Sequence, residues 1–331
     1  MNKKMDRRRA ISISTALSGL CVTPLLWAQP AKVARVAWLT MERVEPDTPF
    51  WLGFRKGMHE LGWIEGKNVV IDPWMGGGSP ERMRQLIPDV VAGRPDVIVA
   101  ATGSVVPLLI QANVPQPVVF AQSSDPVIGK VVQSWARPGV NRTGISYFSL
   151  ELVPKRLELM KQLLPRLKRV AIVGWPLHAG EPLEIDAARL AADNLGLTSQ
   201  YWGVATVPEV DAALMDIDKW RAEAILVFGG AVAAVHAHRI AAHGTGHRIP
   251  TVSAWRSFAE AGNLMTYGPV IHEAQVRLAS FVDRILKGAK AAETPVELPT
   301  QIELVLNLKV AKAIGIEVPY TLRVRADRLI E

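Results

Sequence analysis

Two groups of small polar residues each follow an apolar run, and their types suit the capture of a charged small molecule. Between Asp96 and Val127 the runs Val97 to Ala101 and Val118 to Ala121 are wholly apolar, each with a Pro close before it. Runs of this kind read as strands buried on both faces of a parallel sheet. Thr102, Gly103 and Ser104 follow the first, and Ser123, Ser124 and Asp125 follow the second, with Pro126 next. In an open α/β sheet, ligands bind beyond the carboxyl ends of the strands, where helices begin with unpaired N–H groups that favour anions. The hydroxyls and free N–H groups of Thr102 to Ser104 therefore suit a carboxylate; the plainer alternative is that Ser104 only caps its helix. Asp125, held extended by Pro126, either pairs with an ammonium group or caps the turn from Val127 onward.

The second half of the chain adds aromatic residues at equivalent places. Trp175 follows the run Val170 to Val173, Trp255 follows Thr251 to Ala254, and Tyr267 ends the short run from Leu264. Rigid rings offer large contact area to a planar ligand or a cation, although packing accounts for each ring equally well. Gly229 and Gly230 follow Ala224 to Phe228, in the place that Thr102 and Gly103 hold in the first half. His236, His238, His243 and His247 invite a zinc reading, but the i, i+4 pair His243 and His247 has Gly244 and Gly246 between, which disfavour a helix. No Cys or carboxylate lies near them in sequence, so a solvated helix end is expected and no metal. Gly76, Gly77 and Gly78 lack dinucleotide spacing, so no cofactor is expected. No nucleophile, base and orienting group stand together, which argues against an enzyme.

The elements that must position these residues follow one grammar, repeated. Ala34 to Thr40 is a strand, Pro49 to Leu61 a helix with Pro at its start and Gly62 past its end, Val69 to Asp72 a strand, and Glu81 to Ala92 a helix. With the central stretch this is a βαβαβα order, the pattern of an α/β, doubly wound parallel sheet. A second pass begins after Asn141 to Ser146: helix Pro154 to Leu164, strand Arg169 to Val173, helix Glu181 to Leu195, strand Gln200 to Gly203, helix Val207 to Lys219 and strand Ala224 to Phe228. Leu264 to Tyr267 reads as a return crossing, Glu273 to Leu286 as a helix, and Pro295 to Leu308 as an extended stretch. The organisation expected is two lobes, one of residues 33–146 plus 266–290, the other of 147–265 plus 291–331.

Composition narrows the class. A chain of 331 residues suits two lobes, each of about 150 residues on the usual domain prior. Hydrophobic residues make up 49% and charged residues 21%, against disorder or a nucleic-acid-binding tail. Of the formal charge of +7, residues 1–28 carry +4, leaving a mild +3 and no implied polyanion partner. Residues 1–28 read as a signal peptide: a basic start through Arg9, an apolar run from Ile11 to Leu26, and a cleavage site after Ala28. The apolar run is shorter than a membrane span, and Arg7 to Arg9 also fits a twin-arginine signal, so export to the periplasm by either route is expected. Cys21, the only cysteine, lies in this segment, so the mature chain has no thiol.

Several longer motifs occur in order: Gly53 to Gly57, His59 to Asn68, Phe120 with Asp125 to Val127, Ala136 to Gly139 with Asn141 and Thr143-Gly144, Tyr267 to Pro269, Ile285 to Lys290, and Arg325 to Asp327. In these the chain resembles the ABC-transporter substrate-binding proteins with a type I periplasmic-binding-protein fold, from about Arg35 to Glu331. The resemblance implies two Rossmann-like lobes joined by three crossover segments, with a ligand held between them. It further implies a small-molecule ligand delivered to an ABC permease with its ATPase, an aromatic or other carboxylate-bearing amino acid being the leading class, and a monomeric receptor. A sensory binder that docks on a membrane sensor is the first alternative, and a racemase or transferase on the same fold the second. A repressor is disfavoured because the signal peptide occupies the place of a helix-turn-helix.

Overall fold

The structure is a computed structural model and describes residues 33–41, 48–147, 149–176, 180–229 and 236–331. Residues 1–28 and Gly230 lie outside the described residues. Two sheets organise the chain. The first contains β1 (Ala34–Thr40), β2 (Val69–Met75), β3 (Val97–Ala100), β4 (Val118–Gln122) and β5 (Arg142–Ser146), all parallel, in the order β2-β1-β3-β4-β5. Every residue of β3 and β4 is buried, as wholly apolar runs require when helices cover both faces. The helices α1 (Pro49–Glu60), α2 (Pro80–Ala92) and the short α3 (Val106–Gln111) connect the strands.

The second sheet runs β12-β11-β10-β9-β8-β6-β7 and is parallel except where β10 meets β11. Its strands are β6 (Arg169–Gly174), β7 (Thr198–Gly203), β8 (Ala224–Val227), β9 (Thr251–Ser253), β10 (Met265–Pro269), β11 (Ile302–Asn307) and β12 (Arg328–Ile330). The helices of this half are α4 (Ser149–Leu163), α5 (Glu181–Asn194), α6 (Val207–Trp220), α7 (Ala237–His247) and α8 (Arg256–Glu260). Next comes α9 (Ile271–Leu286), and after β11 follow α10 (Leu308–Ile314) and α11 (Tyr320–Arg325). This is the two-lobed α/β architecture of the type I periplasmic binding proteins. Among the described residues, no helix is long and apolar enough to cross a membrane.

The lobe boundaries differ from the expected ones in two places. Met265 to Pro269 do not cross between lobes but form β10, whose backbone groups are taken up by β9 and β11; the crossing falls at Val270. The chain then returns to the first lobe, where α9 packs along α1 at backbone distance: a Cβ on Gly57 would stand 2.5 Å from the Val276 carbonyl oxygen. Residues 291–297 also stay with the first lobe. The Val296 N–H donates to the Trp135 carbonyl at 2.8 Å, and the Ser146 N–H donates to that of Glu297 at 3.0 Å, so this segment covers the edge of β5. Three connections therefore join the lobes, after β5, after β10 and before β11.

Candidate functional site

The carboxyl ends of the central strands of both sheets carry the candidate residues. After β3, the Thr102 hydroxyl accepts from the Met41 N–H at 3.1 Å, which ties the end of β1 to the end of β3. Ser104 Oγ lies 3.5 Å from that hydroxyl, and the turn Gly103–Val105 leads into α3 without a side-chain cap. After β4, the buried pair Ser123 and Ser124 is held by two side chains that donate to the Ser124 carbonyl, Gln122 Nε2 at 3.2 Å and Ser146 Oγ at 3.2 Å. Asp125 Oδ1 accepts from the N–H groups of Val127 at 2.7 Å and Ile128 at 2.8 Å. That oxygen serves the turn, and the charge of this carboxylate also reaches Glu151 in the first turn of α4, across the lobe boundary.

The aromatic residues bridge the lobes. Trp175, after β6, is buried in the apolar cluster that Leu39, Val105 and Val296 form in the first lobe. Trp255, after β9, meets Phe50 of α1 edge-on at 5.6 Å and Tyr147, at the first crossover, at 6.2 Å. Gln275 Nε2 of α9 donates to the Tyr147 hydroxyl at 2.6 Å and holds that ring in place. Gly229 is required beneath Trp255, since a Cβ there would come within 2.7 Å of Ala254 Cβ and 3.4 Å of the indole. The indole N–H groups of Trp175 and Trp255 are buried without an acceptor among the described residues. Beside Trp255 lies a cavity of about 430 Å³, lined by Phe50, Leu52, Trp255 and Ile271 with the Arg256–Glu303 ion pair at its edge. Tyr267 is half-buried and packs against a different apolar cluster from Trp175 and Trp255.

Below Trp175 the second lobe holds a charged cluster that the sequence did not disclose. Arg156 of α4 has no exposure; its Nε donates to the Tyr267 carbonyl at 2.8 Å, while neither terminal nitrogen has a hydrogen-bond partner among the described residues. Glu181 accepts from the Tyr201 hydroxyl at 2.8 Å and from the backbone N–H of Trp175, so it orients the ring that crosses the lobe boundary. Burial pushes Glu181 up to about 7, and burial with repulsion from Glu181 pushes Glu184 up to about 8. Burial also draws Arg156 down to about 10. In sequence Arg156 reads as a solvated helix charge, and Glu181 and Glu184 read as ordinary acids in a first turn. Only the packing of α4 on α5 reveals them.

Two similar α/β lobes, three connections and an aromatic boundary to which both lobes contribute are the features of a two-lobed ligand-binding protein. The family model described as ABC transporter substrate binding protein matches residues 49–330, and the chain belongs to that family. Its members are the solute-capturing components of ABC transporters, with a small-molecule ligand and a permease as partners. The chain is 21% identical over 272 residues, 80% of its length and 76% of the relative's, to the tyrosine-binding protein of Clostridioides difficile (strain R20291). Among solved structures, a conserved domain protein from Vibrio cholerae superposes with a TM-score of 0.85 at 26% identity, covering 90% of this chain and 100% of that one. An ABC domain from Streptococcus pneumonia in complex with L-Trp superposes with a TM-score of 0.83 at 23% identity, covering 90% and 99%.

Proposed function

We propose that this protein is an exported, monomeric receptor that binds an aromatic amino acid between its lobes and delivers it, chemically unchanged, to an ABC permease. The observation that carries the reading is the aromatic group around Trp255, to which each lobe contributes. The cavity beside Trp255 touches neither Thr102 to Ser104 nor Asp125, so the reading rests on the contacts between the lobes and not on that cavity. The relatives named for tyrosine and solved with L-Trp support the same ligand class. In this reading the ligand carboxylate meets Thr102, Gly103 and Ser104, the ammonium group meets the second oxygen of Asp125 near Ser123 and Ser124, and the ring packs on Trp175 or Trp255. The basic and apolar residues 1–28 supply the export signal to the periplasm. Micromolar capture corresponds to about 8 kcal/mol, of which one charge-assisted contact supplies about 1.5–3 kcal/mol and the burial of one ring about 1.5–3 kcal/mol, so contacts from both lobes are needed to reach it.

The test is calorimetric titration of the mature chain with tryptophan, tyrosine and phenylalanine, beside carboxylate-free sugars and polyamines. At least one aromatic amino acid binds at micromolar concentration and is recovered unchanged. Asp125→Asn keeps an oxygen for the turn but loses the charge, and weakens binding about tenfold or more, in line with loss of a charged hydrogen bond. Trp255→Phe keeps the ring contact and removes the indole N–H, with a smaller loss. Binding of sugars or polyamines alone overturns the ligand class; an aromatic acid bound equally by both variants overturns the site.

A further inference from the structure

We propose that Asp218, His243 and His247 form a binding site for one divalent transition-metal ion of the zinc, copper or nickel kind on the surface of the second lobe. Although Gly244 and Gly246 lie within it, α7 runs unbroken from Ala237 to His247 and sets the two imidazoles one turn apart. Their rings stack with centroids 4.1 Å apart and planes inclined by 25°. The carboxylate missing from the local sequence comes from α6: Asp218 Oδ1 lies 3.0 Å from His243 Nε2, and Asp218 Oδ2 lies 3.5 Å from His247 Nε2. One ligand atom from each residue falls within 4.8 Å of the others. Two ligands on a tetrahedral zinc, each about 2.0–2.1 Å from the ion, stand about 3.3 Å apart, so the two separations between Asp218 and the histidines are already those of a coordination shell, and a small side-chain adjustment brings the two histidine nitrogens to one ion.

The hydrogen bonding points the same way. His247 Nδ1 lies 3.0 Å from the His243 carbonyl oxygen, a contact that turns Nε2 toward the Asp218 carboxylate. A backbone carbonyl that holds the other nitrogen is the usual way a histidine ligand is oriented. Asp218 also sits in the last turn of α6, and His243 and His247 lie near the end of α7. Helix carbonyl ends already carry partial negative charge, so a carboxylate there lacks compensation that a metal ion supplies. Imidazole with a single carboxylate favours zinc, copper or nickel over magnesium or calcium. Both helices lead into strands of the second sheet, so their carboxyl ends lie at the edge opposite the ligand site. The metal site stands independently of the ligand reading and serves as a clip between α6 and α7, beside the Arg239–Asp211 ion pair at 3.2 Å.

The test uses the mature chain without a histidine tag, stripped by chelator and titrated with zinc(II) against a chromophoric competitor, then with copper(II) under electron paramagnetic resonance. The expected result is one equivalent bound, nitrogen coupling in the copper spectrum, and a higher melting temperature with zinc. His243→Gln and His247→Gln each weaken binding by more than the about tenfold that loss of an outer-shell partner costs. Asp218→Asn also weakens it, whereas His238→Gln does not. His247 is half-exposed, so its variant folds; an unchanged far-ultraviolet circular dichroism spectrum verifies this. Failure to take up one equivalent at 100 µM zinc, or uptake that persists in the His243→Gln/His247→Gln double variant, overturns the proposal.

Discussion

Glu184 illustrates how far a single side chain departs from its ordinary chemistry here. It is 1% exposed, its Oε1 has no hydrogen-bond partner among the described residues, and its neighbours include both Glu181 and the buried Arg156. In the unfolded chain Glu184 and Glu181 release their protons near 4.5, whereas in the folded chain they hold them to about 8 and about 7. Across that window the folded chain binds more protons than the unfolded one, so stability is greatest at its acid end and falls as pH rises. With each pKa unit worth about 1.4 kcal/mol, the fall amounts to a few kcal/mol between about pH 5 and pH 8. Urea denaturation across this range checks it. Glu184→Gln, which keeps the shape and removes the ionisation, flattens the larger part of the slope; an unchanged slope means that the proton is held elsewhere. None of this is legible in the sequence, because Glu184 differs from an exposed first-turn acid only in what α4 brings against it. Thr102 and Asp125 were legible, since their positions follow from where apolar runs stop. That one Asp125 oxygen serves the turn from Val127 is one of the two roles its place in the sequence allows, whereas the bond from the Met41 N–H to the Thr102 hydroxyl depends on loop geometry and is not legible.

At the scale of elements, the strands that a sequence discloses are those buried on both faces. β1, β3, β4 and β8 coincide with apolar runs because helices cover them on each side, and their composition has no other use. β10 is different: Met265–Pro269 contains Thr266, Gly268 and Pro269, and only its pairing with β9 and β11 makes it a strand. The start of α4 at Ser149 is likewise hidden, because Pro154 reads as a beginning, although it stands inside the helix. Glycine propensity argues against a helix through His243 and His247, but it is a term of about 1 kcal/mol per residue that tertiary packing readily overrides. Gly244 has its own reason to be there, since a Cβ would meet the Ile249 carbonyl oxygen at 2.6 Å. The α1–α9 contact yields a direct prediction. Gly57→Ala places a methyl 2.5 Å from a backbone oxygen and 2.7 Å from Ala279 Cβ, and neither neighbour is a flexible side-chain end. The helices must move apart, at a cost of about 1–3 kcal/mol as in other overpacked cores. Thermal denaturation is the measurement, and an unchanged midpoint shows that the two helices slide without cost.

At the scale of the whole molecule, the two lobes already meet through side chains that a ligand has to pass. Phe50 on Trp255 and Trp175 in the cluster of Leu39 and Val296 are contacts between lobes, and both tryptophans are less than 10% exposed. A ligand entering beside them must part these rings, and the chain is joined only by the connections after β5, after β10 and before β11. Motion concentrated at three short segments leaves each sheet intact, which is the geometry of a hinge. Contacts from both lobes act on one ligand only when the lobes are together, so binding shifts the population toward the compact form. A compact chain of about 300 residues has a radius of gyration of about 19 Å. Small-angle scattering at saturating aromatic amino acid is expected to approach that value, with a measurably larger radius in its absence. Trp175→Ala removes one of the contacts between lobes and enlarges the ligand-free radius further, while leaving both sheets folded. A radius that is the same with and without a ligand already proven to bind by calorimetry shows that capture proceeds through a preformed opening, and the three connections are then mere links.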